Sequence, residues 1–144
     1  MKKVLVLFLF AGLVFSTNSC KKKETCPEPE VWGVGTWKVT KVVSNGTEQD
    51  ASNPTVACWM TDQMDLNDDG GGSVAIHDYD TNTSTCNDLG WTLNSWLENI
   101  DKKVMVINVT TSSGEYTVRF DYVDKTHLRW NFGSNTYEEF TKQD

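Results

Sequence analysis

Residues 103–132 read KVMVINVTTSSGEYTVRFDYVDKTHLRWNF. The first segment, Lys103 to Thr110, is almost continuously apolar, as expected for a strand that is covered on both faces. In the two segments that follow, apolar residues alternate with polar ones, at Tyr116, Val118, Phe120, Tyr122, Leu128, Trp130 and Phe132. A period of two places such side chains on one face of a strand. Because only short polar turns separate the segments, this stretch predicts three consecutive antiparallel strands.

The same pattern recurs in five further segments, at Gly35 to Ser44, Val56 to Leu66, Ser73 to Tyr79, Gly90 to Leu97 and Tyr137 to Thr141. Helical periodicity is not sustained over any comparable length. Eight sequential antiparallel strands leave two open edges unless the sheet closes on itself. We therefore predict an all-β domain over residues 31–144, an eight-stranded antiparallel meander barrel with room for side chains or one small ligand. A two-sheet sandwich is the alternative closure.

The amino terminus has the layout of a secretory signal. Lys2 and Lys3 precede an apolar run from Val4 to Phe15, and small polar residues lead to Cys20. A small residue followed by Cys resembles a bacterial lipoprotein signal, in loose form like those of Bacteroidota lipoproteins. The resemblance implies a signal peptide at 1–19, a lipidated Cys20 and a tether at 20–30. The alternative is an ordinary cleaved signal with a coincidental Cys.

The charge balance points away from nucleic acid. The 144 residues carry 13 Lys and Arg against 20 Asp and Glu, a net charge of −7. Removal of residues 1–19, which hold two Lys and no acid, leaves 11 basic against 20 acidic groups, or −9. Lys21 to Lys23 lie beside Cys20, where they can contact anionic headgroups. We expect a monomeric cell-envelope protein of the outer membrane, facing the periplasm rather than the cell surface because Lys21 to Glu24 is not an acidic run.

Four cysteines have to be assigned. If Cys20 carries lipid, Cys26 falls in the tether and is expected to be free or capped. Cys58 and Cys86 lie in the folded body 28 positions apart, and export permits a disulfide between them. Their spacing is unlike that of a zinc site, so we expect no metal there.

One tripeptide carries a family resemblance. Gly35-Thr36-Trp37 opens the first strand as Gly-x-Trp, which resembles the signature of the lipocalin and wider calycin barrels. The segment from Cys58 to Cys86, followed by Gly90-Trp91-Thr92-Leu93, is similar to the lipocalin-like domain of Bacteroidota lipoproteins. The resemblance covers Val31 to Lys142, without the carboxy-terminal helix of full lipocalins. It implies that Trp37 plugs the closed end of the barrel beneath a late-strand Arg or Lys, for which Arg129 is favoured over Arg119.

Two polar clusters contain the residue types of chemical sites. Asp65, Asn67 and Asp69 precede Gly70 as in a calcium loop, but position twelve is Ile76 instead of Glu, so a hairpin turn is favoured over weak calcium binding. His77 and Asp78 point to opposite faces of a strand, which favours a solvated strand end. No nucleophile motif or phosphate loop occurs, and we expect no catalytic function and no cofactor.

The aromatic residues bear most directly on function. Seven could line a lumen that suits a small hydrophobic ligand: Trp91, Trp96, Tyr116, Phe120, Tyr122, Trp130 and Phe132. For a body of this size, filling of a compact core is the favoured role. The first functional hypothesis is a small-ligand binding protein. The alternative is an envelope interaction module with a filled barrel, which contacts a protein or glycan through its loops at 45–55 and 78–88.

Overall fold

The computed structural model describes residues 30–144. The predicted signal peptide, the lipidated Cys20, the lysine triplet and Cys26 lie outside the described residues. Within residues 30–144, no helix has the length and apolar character needed to cross a membrane.

The described part of the chain forms eleven strands and one short helix. They are β1 (Gly35–Ser44), β2 (Thr47–Glu48), α1 (Pro54–Trp59), β3 (Gln63–Leu66), β4 (Gly72–Ala75), β5 (His77–Asp80), β6 (Thr85–Asp88), β7 (Thr92–Asn99), β8 (Val104–Thr111), β9 (Gly114–Asp124), β10 (His127–Gly133) and β11 (Thr136–Lys142).

Eight of these strands form one nearly closed antiparallel barrel. Their order is β4-β3-β1-β11-β10-β9-β8-β7, so each strand pairs with its successor in this series and β1 closes against β11. Strand β2 pairs only with the end of β1, and β5 pairs with β6 in a separate hairpin. The predicted meander barrel is confirmed. The strands form one nearly closed sheet and not the two-sheet sandwich that was the alternative.

The seam between β4 and β7 is bridged by Trp96. Its backbone N–H donates to the Gly70 carbonyl at 3.1 Å. Its indole Nε1 donates to the carbonyls of Asn67 and Gly71, at 2.9 and 3.1 Å. One buried aromatic residue thus satisfies backbone groups at the gap that the strand ladders leave open.

The core lies inside the barrel and is formed by the inward-facing side chains, every second residue along each strand. On β8, Met105, Ile107 and Val109 are fully buried, whereas the side chains between them are partly exposed. The expectation that this segment is covered on both faces is therefore wrong, because β8 has the barrel interior on one side and solvent on the other. Phe120, Leu128 and Phe140 complete the interior from β9, β10 and β11.

The predicted strand from Val56 to Leu66 is wrong in its first half. Pro54–Trp59 is helix α1, and β3 begins only at Gln63. The Asn53 side chain caps the helix by accepting from the Thr55 N–H at 3.0 Å, and Pro54 occupies its first turn. The predicted strand Ser73 to Tyr79 is likewise divided between β4 of the barrel and β5 of the hairpin.

The predicted disulfide is confirmed. Cys58 on α1 is bonded to Cys86 on β6, across a sequence separation of 28. The bond ties the β5–β6 hairpin to the helix, and His77 Nδ1 at the start of that hairpin lies 3.0 Å from Asp62 just beyond α1. These two attachments hold both inserted elements beside one end of the barrel.

Candidate functional site

A cavity of about 380 Å³ occupies the barrel end where β1 finishes and β11 begins. The barrel wall contributes the last residues of β1, part of β10 and the start of β11. The end of α1, the turn after it, Ile76 with the start of β5, and the segment after β6 supply the rest. The lining residues are Val42, Val43, Ser44, Trp59, Asp62, Ile76, His77, Asp78, Leu89, Trp91, Trp130, Phe132, Thr136, Tyr137 and Glu138. The volume falls within the range of small-molecule sites.

One wall of the cavity is aromatic. Trp130 and Phe132, two positions apart on β10, have ring centroids 4.5 Å apart. Trp91 meets Trp130 edge to face at 5.7 Å. Phe120, in the core below, lies 5.9 Å from Trp130 and supports it from inside the barrel. Such contacts hold the rings in fixed positions around an open space.

The cavity also contains Glu138, a buried carboxyl group. Its side chain has the same parity on β11 as the core residue Phe140, so it points into the barrel and is only 5% exposed. Burial and the nearby charge of Asp62 raise the pKa of Glu138 to about 8. No residue in the range 30–144 provides a hydrogen-bond partner for its Oε2. The group is therefore largely protonated at neutral pH and has an unused polar atom.

Asp62 provides a second buried carboxyl group, and it is partnered. It is 1% exposed and accepts from the backbone N–H of His77 at 2.8 Å, while His77 Nδ1 lies 3.0 Å from the same oxygen. Burial raises the pKa of Asp62 to about 6, although the hydrogen bonds from His77 oppose the shift. The turn after α1 places Asp62 here, since its N–H donates to Trp59 and its carbonyl accepts from Val39.

The ionisable side chains that line the cavity are mostly acidic. Asp62, Asp78 and Glu138 are acidic, and none of the described residues around the cavity is Lys or Arg. His77 also lines the cavity, and its Nδ1 contacts the Asp62 carboxyl group. The cavity therefore combines apolar walls with a few buried acidic groups that can form hydrogen bonds with a ligand.

Three of the seven predicted lining residues, Trp91, Trp130 and Phe132, line the cavity. The other four do not line the cavity, and three of them fill the core, which is the role that the sequence favours for these residues. Phe120 is core, Trp96 seals the seam, and Tyr122 is buried at the opposite end of the barrel. Tyr116, near the start of β9, is 51% exposed and lies outside the cavity.

Sequence reasoning did not identify Asp62, His77 or Glu138 as site residues. His77 was interpreted as part of a solvated strand end, but its side chain contacts a buried carboxylate. The parity of Glu138 with Phe140 was a usable signal, because it places a carboxyl group on the inner face of a barrel strand. The placement of Asp62 follows from a tertiary contact between α1 and β1, for which the sequence offers no local sign.

The opposite end of the barrel is closed around Trp37. Its indole is fully buried and donates to the Gly33 carbonyl at 2.7 Å. Glu98 accepts from the backbone N–H groups of Trp32 and Gly33, at 3.0 and 2.9 Å, and from the Tyr122 hydroxyl at 2.6 Å. The segment before β1 is thereby fastened across the barrel base.

The predicted contact between Arg129 and Trp37 is wrong in the identity of the cation. Lys142 Nζ lies 5.6 Å from the Trp37 ring centroid and donates to the Trp32 carbonyl at 3.0 Å. Arg129 instead lies over Tyr137 at 4.4 Å and donates to Glu139 at 2.9 Å. Since Leu128 next to it faces the core, Arg129 points to the outer face of β10 and cannot reach Trp37. Arg119, the other candidate, pairs with Asp121 at 2.8 Å.

The weak calcium candidates take separate local roles. The Asp65 carboxylate accepts from Thr36 Oγ1 at 2.6 Å and from Gln63 at 2.8 Å. Asp69 accepts from the Gly71 N–H at 2.8 Å, and the Asn67 carbonyl accepts from Trp96. No group of three or more His, Cys, Asp or Glu side chains in residues 30–144 is arranged to hold a metal ion. The contacts are those of a hairpin turn.

Comparison of the chain with protein-family models, with curated proteins and with solved structures finds no match.

Proposed function

We propose that the protein is a non-catalytic binding protein for a small hydrophobic ligand, held in the cavity at the open end of the barrel. The observation that carries the proposal is the cavity itself, which is walled by fixed aromatic rings although the opposite end is closed by Trp37. A pocket that is mostly apolar, with a few polar groups converging on it, is typical of small-molecule sites. The alternative, an interaction module whose barrel is filled, explains the presence of this cavity less well.

The lipocalin-like resemblance supports the same function. The support comes from Gly35 at the start of β1 and from Trp37, which is buried with its indole hydrogen-bonded to the Gly33 carbonyl. A barrel that is closed at one end and has a cavity at the other is suited to holding an apolar molecule. We extend the proposal to a lipocalin-like envelope lipoprotein that is lipidated at Cys20 and attached to the outer membrane.

Ligand binding is tested by quenching of tryptophan fluorescence. Trp59, Trp91 and Trp130 line the cavity, so an apolar compound that enters it should shift their emission. The variant Phe132→Ala should weaken the response, because the ring forms part of the cavity wall. Tyr116→Ala is the matched control, since both rings are about half exposed, at 52% and 51%, and only Phe132 lines the cavity. If both substitutions have equal effects, or no apolar compound shifts the emission, binding in the cavity is refuted.

The anchor is tested separately by growth in labelled palmitate. The full chain should incorporate label, and Cys20→Ala should abolish incorporation. Label that persists in the variant, or that is absent from the unaltered protein, would refute lipidation at Cys20.

A further inference from the structure

We infer that the ligand is a hydrophobic organic cation, an alkylammonium or arylalkylammonium ion, whose nitrogen lies against Glu138 and whose apolar part contacts the aromatic wall. The inference rests on the proposed function and specifies the substrate class of the same cavity. It follows from the polar groups of the cavity, considered one at a time.

The first observation is the carboxyl group of Glu138. It is at least nine-tenths buried, it lines the cavity, and its Oε2 lacks a hydrogen-bond partner within the described part of the chain. Buried polar side-chain atoms are nearly always hydrogen-bonded, so an unpartnered one on a residue that lines a cavity is a candidate partner for a polar group of a ligand, and an ionised carboxylate would accept from a ligand donor. An ammonium nitrogen supplies up to three such donors.

The second observation is the sign of the surrounding charge. Asp62 and Asp78 also line the cavity, and Lys and Arg are absent from its described lining. The carboxylate of a fatty acid would enter without a fixed cation to pair with, and burial of an unpaired charge is strongly unfavourable. An ammonium ion would instead meet an acidic partner at hydrogen-bonding distance.

The third observation is the position of the rings relative to the acid. Trp130 is the direct cross-strand partner of Glu138 in the β10–β11 ladder, and Trp91 packs against Trp130. Directly opposed residues of an antiparallel pair project on the same face. A cation held at Glu138 is therefore within reach of an indole face, where it gains a second favourable interaction.

The inference carries a specific pH dependence. Burial holds Glu138 protonated up to a pKa of about 8, whereas an alkylammonium ion binds the ionised carboxylate. Binding at neutral pH therefore releases a proton, so affinity rises as pH increases toward 8. The cross-strand partners of Glu138, Val42 and Trp130, carry no charge. The other titratable groups of the cavity are Asp62, His77, Asp78 and Tyr137.

The test is a calorimetric titration with three probes of one chain length, octylamine, octan-1-ol and octanoate. The protein is the full chain carrying Cys20→Ala, so that the proposed acyl chains do not compete for the cavity. We expect octylamine to bind at least about tenfold more tightly than octan-1-ol, and octanoate to bind most weakly. Glu138→Gln should reduce octylamine affinity to that of the alcohol and leave the alcohol unchanged. The control Glu139→Gln should change neither, because Glu139 pairs with Arg129 on the outer face.

A pH series provides a readout that needs no variant. Octylamine affinity should increase roughly tenfold between pH 6.5 and pH 8, while octan-1-ol affinity stays constant. Equal binding of amine and alcohol, with no effect of Glu138→Gln, would overturn the inference but leave the proposed function standing. Tightest binding of octanoate would also overturn it. If none of the three binds, the proposed function fails as well.

Discussion

Trp130 and Glu138 lie directly opposite each other in the β10–β11 ladder and face the same cavity, one as a ring of its wall and the other as its buried acid. This pairing places a carboxyl group beside an aromatic cluster at one end of the barrel. At the opposite end a cation instead lies beside an aromatic ring, because Lys142 Nζ is 5.6 Å from the ring centroid of the fully buried Trp37. The two ends of one barrel thus have different roles, and each can be tested separately.

Glu138 should make stability depend on pH. The folded protein keeps this carboxyl group protonated to a pKa of about 8, and the unfolded chain releases the proton near 4.5. Between those values the folded state binds more protons, so the free energy of unfolding falls as pH rises from about 5 to 8. At about 1.4 kcal/mol per pKa unit, the free energy of unfolding falls by about 3 kcal/mol over this pH range.

Glu138→Gln should remove most of that decline, because the amide does not ionise. Urea denaturation at pH 5, 6.5 and 8 measures the effect, with Glu139→Gln as the control. A wild-type protein whose stability is flat over this range, or a Glu138→Gln variant with the same slope, would contradict the assignment. The pKa of Asp62 is also raised, to about 6, so this group adds a smaller decrease in the free energy of unfolding as pH rises. Glu138→Gln and Glu139→Gln should both retain this smaller decrease.

The Cys58–Cys86 disulfide should stabilise the inserted elements that cover the cavity. Closure of a loop with this sequence separation of 28 corresponds to about 3 kcal/mol of stability. The double variant Cys58→Ala/Cys86→Ala should lower the free energy of unfolding by about that amount and weaken ligand binding, since His77 and Leu89 flank the tethered hairpin. A reducing agent should affect the unaltered protein and leave the double variant unchanged. Equal sensitivity of both to reductant would show that another bond is responsible.

The closed end should depend on Trp37 and, to a smaller degree, on Lys142. Trp37→Ala should cost about 3–5 kcal/mol, because it removes a fully buried indole from the core. Lys142→Met keeps the aliphatic stem but loses the hydrogen bond to Trp32 and the cation over the ring, at a cost of about 1–2 kcal/mol. Lys125→Met, which removes an exposed ion pair with Glu30, is the control and should cost less than Lys142→Met. Equal effects of the two lysine substitutions in urea titrations would argue against the assigned role of Lys142.

Two adjacent glycines should differ in their tolerance of a methyl group. Gly72 has a φ of +144°, and an added Cβ would collide with the backbone carbonyl of Asp65 on the neighbouring strand. Gly71 has no such backbone contact, and its nearest neighbour is the movable Asp69 side chain. Gly72→Ala should therefore destabilise the protein by about 2 kcal/mol or more, and Gly71→Ala by less than about 1. Thermal melts of the two variants make the comparison, and a Gly71→Ala variant that melts at or below Gly72→Ala would refute it.

The barrel could be predicted because strand periodicity is a local property. Between the polar turns of residues 103–132 the chain alternates or is apolar, and three consecutive barrel strands, β8 to β10, occupy these segments. Helix α1 was missed because Val56, Cys58 and Met60 fit a strand alternation as well, while the capping signal lies in the preceding Asn53-Pro54. In so short a helix the cap carries more information than the apolar pattern.

The candidate site was only partly predictable. Aromatic side chains indicate a cavity wall or a core without distinguishing the two, so the sequence could not predict that Trp130 lines the cavity and Tyr122 packs in the core. Glu138 was overlooked because an acidic residue on a strand is usually exposed. The role of Glu138 depends on its neighbours, which are Asp62 and the cavity. Tertiary structure brings these neighbours together, so the local sequence does not reveal them.

A crystal structure of the protein with octylamine bound at pH 8 tests the central claim most directly. The account predicts the alkyl chain against Trp130 and Phe132, with the nitrogen about 3 Å from a carboxylate oxygen of Glu138. An empty cavity at saturating octylamine, or a ligand whose nitrogen points to solvent while its alkyl end contacts Glu138, would contradict it.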